Sequence, residues 1–389
     1  MKNYVFESNT RIYFGKDEEN KVGEYINSYG FKSVLLVYGK NSAKKSGLYD
    51  LVVNSLNKYN IKVLELSGIK PNPSLEDVIN GLSLIKKEPV DMILALGGGS
   101  VIDTCKLISN GYFYDGNPFD FNEYKAVPTK NIPLGVILTI PAAGSELSTS
   151  CVITDESRNL KRGFNSQTNR PLFVIENPDL MLGLPFNQIA YGITDILAHS
   201  MERYFSISEE NEFADYLALG LMKSVVDAGY DILKDQTSYS ARKTLYLASS
   251  YSHNGLTSIC KDISMPVHQL EHELSGLHNN IAHGEGLAIL FPYWMKETYE
   301  YAPKKFAKFG EVLFNIKDDD IFNASIRTIE AYQEFLKKFN LPTSLKDVGV
   351  SLDDIEIMAK AFENRVIPGY KPLDNMLAKK IFIRAWKGE

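Results

Sequence analysis

Along the first half of the chain, short runs of consecutive apolar residues alternate with stretches whose apolar positions recur every three to four residues. Residues 33–39, 61–66, 90–96, 134–140 and 172–175 have the continuous apolar character of strands buried on both faces. Between the second and third, Pro73-Ser74-Leu75-Glu76-Asp77 opens a helix, with Ser74 as its cap and acids in the first turn. Strands alternating with helices predict right-handed βαβ units and a parallel sheet covered on both faces. From about Pro185 the pattern changes. Strand-like runs stop, and the 3.6-residue period predicts helices over roughly 186–205, 211–233, 241–260, 284–298, 322–338 and 374–386. Gly183-Leu184-Pro185 marks the break. At 389 residues each half is long enough to bury its own core, which predicts domains 1–184 and 185–389.

Composition narrows the function. A net charge of −6 with no long basic block argues against nucleic acid and against an anionic membrane surface. No apolar run approaches the ~20 residues needed to span a bilayer, and the N-terminal segment lacks the apolar stretch of a signal peptide. Cys105, Cys151 and Cys260 have no CxxC spacing and read as reduced thiols. The expectation is a cytoplasmic protein.

The histidines carry the chemistry. All six fall between His199 and His283. Asp195 and His199 are four apart and share a helix face; His268 and His272 repeat that spacing, and His283 follows. A carboxylate with several imidazoles suits a divalent transition metal. Clustering favours a joint metal site of Asp195, His199, His268 and His283 over the plain alternative of histidines scattered on helix surfaces.

A second candidate site lies in the first half. Gly97-Gly98-Gly99-Ser100 follows a strand and starts a helix, a context in which backbone N–H groups can approach a pyrophosphate. Gly98, Gly99 and Ser100 would line it, and Asp103 would either join them or hydrogen-bond this glycine loop or the helix N-terminal amides. Thr139, Ser145 and Ser148 leave the next strand at the carboxyl edge of the sheet, where nucleotides bind. Lys161 is positioned either to reach a cofactor phosphate or ribose, or to be a solvated charge. A tight βα turn is the alternative at the glycines.

Together these segments resemble the iron-containing (group III) alcohol dehydrogenase family. Gly97-Gly98-Gly99-Ser100 with Asp103 and Lys106 matches its GGGSxxDxxK, and Asp195 with His199 matches its GxxDxxxH. His268 and His283 match the other two ligands, and His272 the family's non-ligand histidine beside the nicotinamide. Pro71-Asn72-Pro73 is similar to the turn before the second helix. The run 268–275 resembles the butanol dehydrogenase branch. The resemblance implies a Rossmann-like α/β domain followed by an all-α domain, the fold also found in dehydroquinate synthase. It further implies a homodimer and a cleft that holds a nicotinamide dinucleotide and one Fe²⁺ or Zn²⁺. The expected reaction is hydride transfer between NAD(P)H and a short-chain aldehyde such as butanal, with His272 as the catalytic histidine. Glycerol dehydrogenase and, from another class, a dehydroquinate synthase-like lyase are the alternatives. NAD specificity usually needs a carboxylate after a strand. The turn Gly39-Lys40-Asn41-Ser42 has none and is followed by Lys44 and Lys45, which favours NADP(H).

Overall fold

The computed structural model of the chain describes residues 3–207 and 211–389. It divides into two compact units, Glu7–Leu184 and Pro185–Glu389, with residues 3–6 grouped with the second. That grouping differs from a division at 184 alone. Tyr4 Oη donates to the Gly255 carbonyl at 3.0 Å, which ties the N-terminal segment to the helical unit.

The first unit is α/β. Its elements are β1 (Arg11–Phe14), α1 (Val22–Ser28), β2 (Ser33–Gly39), α2 (Ser42–Lys45), α3 (Leu48–Lys58), β3 (Lys62–Ile69) and α4 (Leu75–Lys87). Then follow β4 (Met92–Gly97), α5 (Gly99–Gly111), β5 (Leu134–Leu138), β6 (Ser150–Asp155), β7 (Leu160–Asn165) and β8 (Phe173–Glu176). Six strands form one parallel sheet in the order β1-β8-β5-β4-β2-β3. Successive residues of the central strands, such as Val34, Leu35, Leu36 and Val37, are all fully buried. A strand covered on both faces has no polar side to show, which explains the unbroken apolar runs. Val34, Leu36 and Tyr38 pack with Met92, Leu94 and Leu96 against Val22 and Ile26 of α1 and Val52 and Leu56 of α3. Ser74 caps α4 as expected, its Oγ accepting from the Asp77 amide at 3.2 Å.

Three strands escaped the sequence pattern. β1 is a four-residue edge strand. β6 and β7 form a separate antiparallel hairpin rich in polar residues, so no apolar run announces them.

The second unit is helical: α6 (Phe186–Tyr204), α7 (Glu212–Lys234), α8 (Tyr239–His253), α9 (Pro266–Leu277) and α10 (His283–Thr298) are followed by α11 (Pro303–Phe314), α12 (Ile321–Lys337), α13 (Leu352–Lys360) and α14 (Asn375–Lys387). Helix α8 stops at His253, short of the expected 260, because Gly255 turns the chain at φ +100°. The period did not reveal α9, α11 and α13. In α9 the buried face includes His268 and Glu271, and buried polar residues dilute an apolar period. No helix among the described residues is long and apolar enough to cross a membrane.

Candidate functional site

In the α/β unit, register aligns the carboxyl ends of three strands. Tyr38 pairs with Leu96, and Gly97 with Leu138. The segments beginning at Gly39, Gly98 and Thr139 therefore leave the sheet along one edge. β2 lies between β3 and β4, so the chain order reverses there; this is the topological switch point where open α/β sheets bind ligands. Gly97 and Gly98 are required for space. A Cβ on Gly97 would stand 2.6 Å from Val101 Cγ2, and one on Gly98 would stand 2.4 Å from Ile140 Cγ2. Gly98 is the N-cap of α5, so the first-turn amides of Gly99 and Ser100 belong to a helix end that favours anions.

Beneath this edge Lys106, fully buried on α5, holds the following loop. Its Nζ donates to Ser145 O (2.7 Å), Ser145 Oγ (2.8 Å), Ser150 O (2.6 Å) and Ser148 Oγ (3.3 Å). Asp103 completes the network, accepting from Ser145 Oγ at 2.5 Å and from the Val152 amide at 2.9 Å. Asp103 thus bonds the segment after β5 and the start of β6, not the glycine-rich loop or the amides of its own helix start. Burial pushes the Lys106 ammonium down and the Asp103 carboxyl up, and the charge of each partly offsets the shift in the other. The hydroxyls of Ser145 and Ser148 are engaged with Lys106, while Thr139 and Ser100 remain partly exposed at the edge. Lys161 is buried, and its Nζ donates to Asn72 Oδ1 at 3.0 Å. The solvated alternative for Lys161 is thereby corrected: the ammonium is tied to the Pro71-Asn72-Pro73 turn.

Gly39 ends β2, and Lys40, Asn41 and Ser42 are exposed at the start of α2. Lys44 lies over the rings of Tyr38 (5.3 Å) and Tyr49 (4.6 Å). Both phenols donate to Glu65, each at 2.7 Å.

In the helical unit, Asp195 and His199 lie one turn apart on α6, a helix buried along most of its length. His268 comes from the first turn of α9 and His283 from the start of α10. One donor atom from each of these four residues lies within 4.8 Å of every other. Asp195 Oδ1 is 3.3 Å from His199 Nε2 and 3.8 Å from His283 Nε2. Tetrahedral donors about 2.1 Å from one ion stand roughly 3.4 Å apart, so the spacing fits a shared cation. His268 Nε2 is buried without a hydrogen-bond partner among the described residues, a state that a metal bond relieves. Burial, then the nearby His253 and His268 rings, holds His199 well below the usual histidine range, so its imidazole is neutral and able to ligate.

His272 sits one turn beyond His268, its ring centroid 6.0 Å from that of His283 and its donors outside the four-residue cluster. Sequence reasoning missed three residues around the site. The His253 ring lies 4.1 Å from that of His199. Glu202 accepts from the amides of Val267 and His268 at 2.7 and 2.9 Å, satisfying the start of α9. Glu271 pairs with Nδ1 of His283. His253 was visible as one of only six histidines, but neither carboxylate carried a local signal.

Two family models match the chain: "Iron-containing alcohol dehydrogenase" over residues 9–178 and "Fe-containing alcohol dehydrogenase family, C-terminal" over 189–380. The chain belongs to the iron-containing alcohol dehydrogenase family. It is 36% identical to NADH-dependent butanol dehydrogenase A of Clostridium acetobutylicum over 92% of each chain. It is 31% identical to the NADPH-dependent aldehyde reductase YqhD of Escherichia coli over 93% of each. The crystal structure of NADH-dependent butanol dehydrogenase A from Thermotoga maritima superposes with a TM-score of 0.95 at 34% identity, covering 99% of both chains. This family member is a nicotinamide-dependent oxidoreductase acting between alcohols and aldehydes. The relatives do not favour the polyol or lyase alternatives.

Proposed function

We propose that this alcohol dehydrogenase works in the cytoplasm, as a homodimer, chiefly as a reductase of short unbranched aldehydes such as butanal. The observation that carries the reading is the four-donor cluster of Asp195, His199, His268 and His283 in a chain whose other unit presents a glycine-rich helix start at the sheet's switch point. These four residues would hold one divalent ion, Fe²⁺ or Zn²⁺, and their donor set accepts either. When bound, the ion supplies Lewis acidity toward the substrate oxygen.

The remaining work falls to the chain's own groups. Gly98, Gly99 and Ser100 would take the cofactor's pyrophosphate, with Thr139 beside them; Asp103, Ser145 and Ser148 would shape that loop from below, and Lys161 would brace the neighbouring turn. Gly39, Lys40, Asn41 and Ser42 would receive the adenosine ribose. That turn offers amides, polar groups and lysines and no carboxylate, which supports NADP(H) over NAD(H). Lys44 is committed to the Tyr38 and Tyr49 rings, so Lys40 and Lys45 would carry the charge. The relatives' names divide on this point, the clostridial enzyme being NADH-dependent and YqhD NADPH-dependent. His272 would position the nicotinamide or relay the proton.

The test is an anaerobic panel of butanal, dihydroxyacetone and a blank, each with NADPH and NADH, on protein of measured metal content. Butanal reduction should exceed that of dihydroxyacetone, and NADPH should give the higher kcat/KM. His272→Ala should keep the ion and lose kcat. Preference for NADH would refute the cofactor assignment alone; faster turnover of dihydroxyacetone would refute the substrate assignment; loss of the ion in His272→Ala would make His272 a ligand.

A further inference from the structure

The four candidate ligands are not oriented by their own helices alone. His268 on α9 directs Nδ1 toward Glu202 Oε1 of α6 at 3.2 Å, and the same oxygen accepts the amides of Val267 and His268. His283 on α10 directs Nδ1 toward Glu271 Oε2 of α9. Glu202 is 2% exposed and Glu271 0%. Gly286 makes the second approach feasible, because a Cβ there would stand 3.0 Å from Glu271 Cγ. A ligand histidine on one helix is thus held by a carboxylate from the helix that carries another ligand.

We propose that Glu202 and Glu271 are positioning residues of the metal centre. Each accepts the Nδ1 proton of its histidine, which leaves the Nε2 lone pair of His268 and of His283 as the metal donor. An imidazole has one proton for two nitrogens, so the acceptor at Nδ1 selects the tautomer and fixes the ring plane together. On α6 the Arg203 guanidinium, also buried, donates from Nη1 to His199 O at 2.6 Å. The His199 ring stacks on His268 at 4.4 Å and lies beside His253. The assignment rests on the ligand set proposed above.

Glu202→Gln and Glu271→Gln separate this role from a merely structural one. Glutamine keeps one carbonyl oxygen for the same donors, including the two α9 amides, while it removes the charge and puts an NH2 group in place of the other oxygen. Metal affinity is measured by competition with a chromophoric chelator on Zn²⁺-loaded and Co²⁺-loaded protein. Melting of the metal-free forms and the visible d–d spectrum of the Co²⁺ forms are recorded alongside. Each variant should bind the ion about 10- to 100-fold more weakly, with a displaced Co²⁺ spectrum and a metal-free melting temperature close to that of the wild type. Glu271→Asp, which restores charge but shortens the reach, should recover part of the affinity. Wild-type affinity and an unchanged spectrum in both glutamine variants would overturn the proposal while leaving the ligand set intact. Failure of the wild type to bind an ion stoichiometrically would overturn the ligand set and the proposal together.

Discussion

Gly284→Ala should disconnect the metal centre without touching a ligand. Gly284 follows His283 in the first turn of α10, where that helix crosses α6. A Cβ added there would stand 2.2 Å from the Tyr191 carbonyl oxygen, 2.7 Å from its carbon and 2.8 Å from Tyr191 Cα. All three are backbone atoms of a buried helix, so no rotamer change can clear them. The helices must separate by roughly 1 Å before ordinary contact is reached. Metal sites tolerate displacements of about 0.2 Å in ligand distance. His283 on α10 would therefore be drawn out of reach of the site that Asp195 and His199 build on α6. The bond from Tyr191 Oη to Glu285 Oε1, 3.0 Å long, would be stretched with it. Overpacking of this kind costs about 1–3 kcal/mol, which lowers the melting temperature by roughly 2–12 °C for a unit of this size. Metal content after gel filtration, chelator competition and thermal melting read the outcome. Gly220→Ala is the matched control: Gly220 is a helical glycine on α7 with nothing within 4 Å of the added methyl, and the change should raise stability by about 0.5–1 kcal/mol. Full metal content and affinity within twofold of wild type in Gly284→Ala would refute the reasoning.

Two further outcomes are expected. Lys106→Met removes the ammonium that gathers Ser145, Ser148 and Ser150 and leaves the half-buried Asp103 without it; the KM for the nicotinamide cofactor should rise about tenfold with metal content unchanged, at a stability cost of about 3 kcal/mol. An unchanged KM would show that the loop needs no such anchor. The other concerns Glu297 on α10. Burial alone would raise its pKa, but hydrogen bonds from Lys380, Arg384 and Lys371 outweigh that and bring it from 4.5 to about 2. A depressed carboxylate pKa contributes stability that is complete above the unfolded value and is lost as pH falls toward the folded one. The gap in melting temperature between wild type and Glu297→Gln should accordingly be constant above pH 4.5 and shrink between pH 4.5 and 2; a gap independent of pH would refute it.

Much of this architecture is written in local spacing. The two-faced burial of β2, β4 and β5 appears as unbroken apolar runs, the Ser74 cap lies beside its helix, and the helical period brings Asp195 and His199 to one face whatever α6 packs against. A backbone with a fixed rise and period settles such relations by itself. Other relations had no local trace. Glu202 and His268 are 66 residues apart, Lys106 and Ser145 are 39, and each pair meets only because two elements pack side by side. Lys161 has the composition of a surface residue and is buried on a hairpin that its own polar residues concealed. Gly284 is ordinary in sequence and critical in space. The chain itself determined which residues have metal-binding chemistry and which helix faces they share. The resemblance already named His268 and not His272 as a ligand; only tertiary packing decided how one of them reaches the four-donor cluster, and which carboxylates stand behind it. Residues one turn apart on α9 share a face, but a helix crossing brings only one of them to the point where three helices converge.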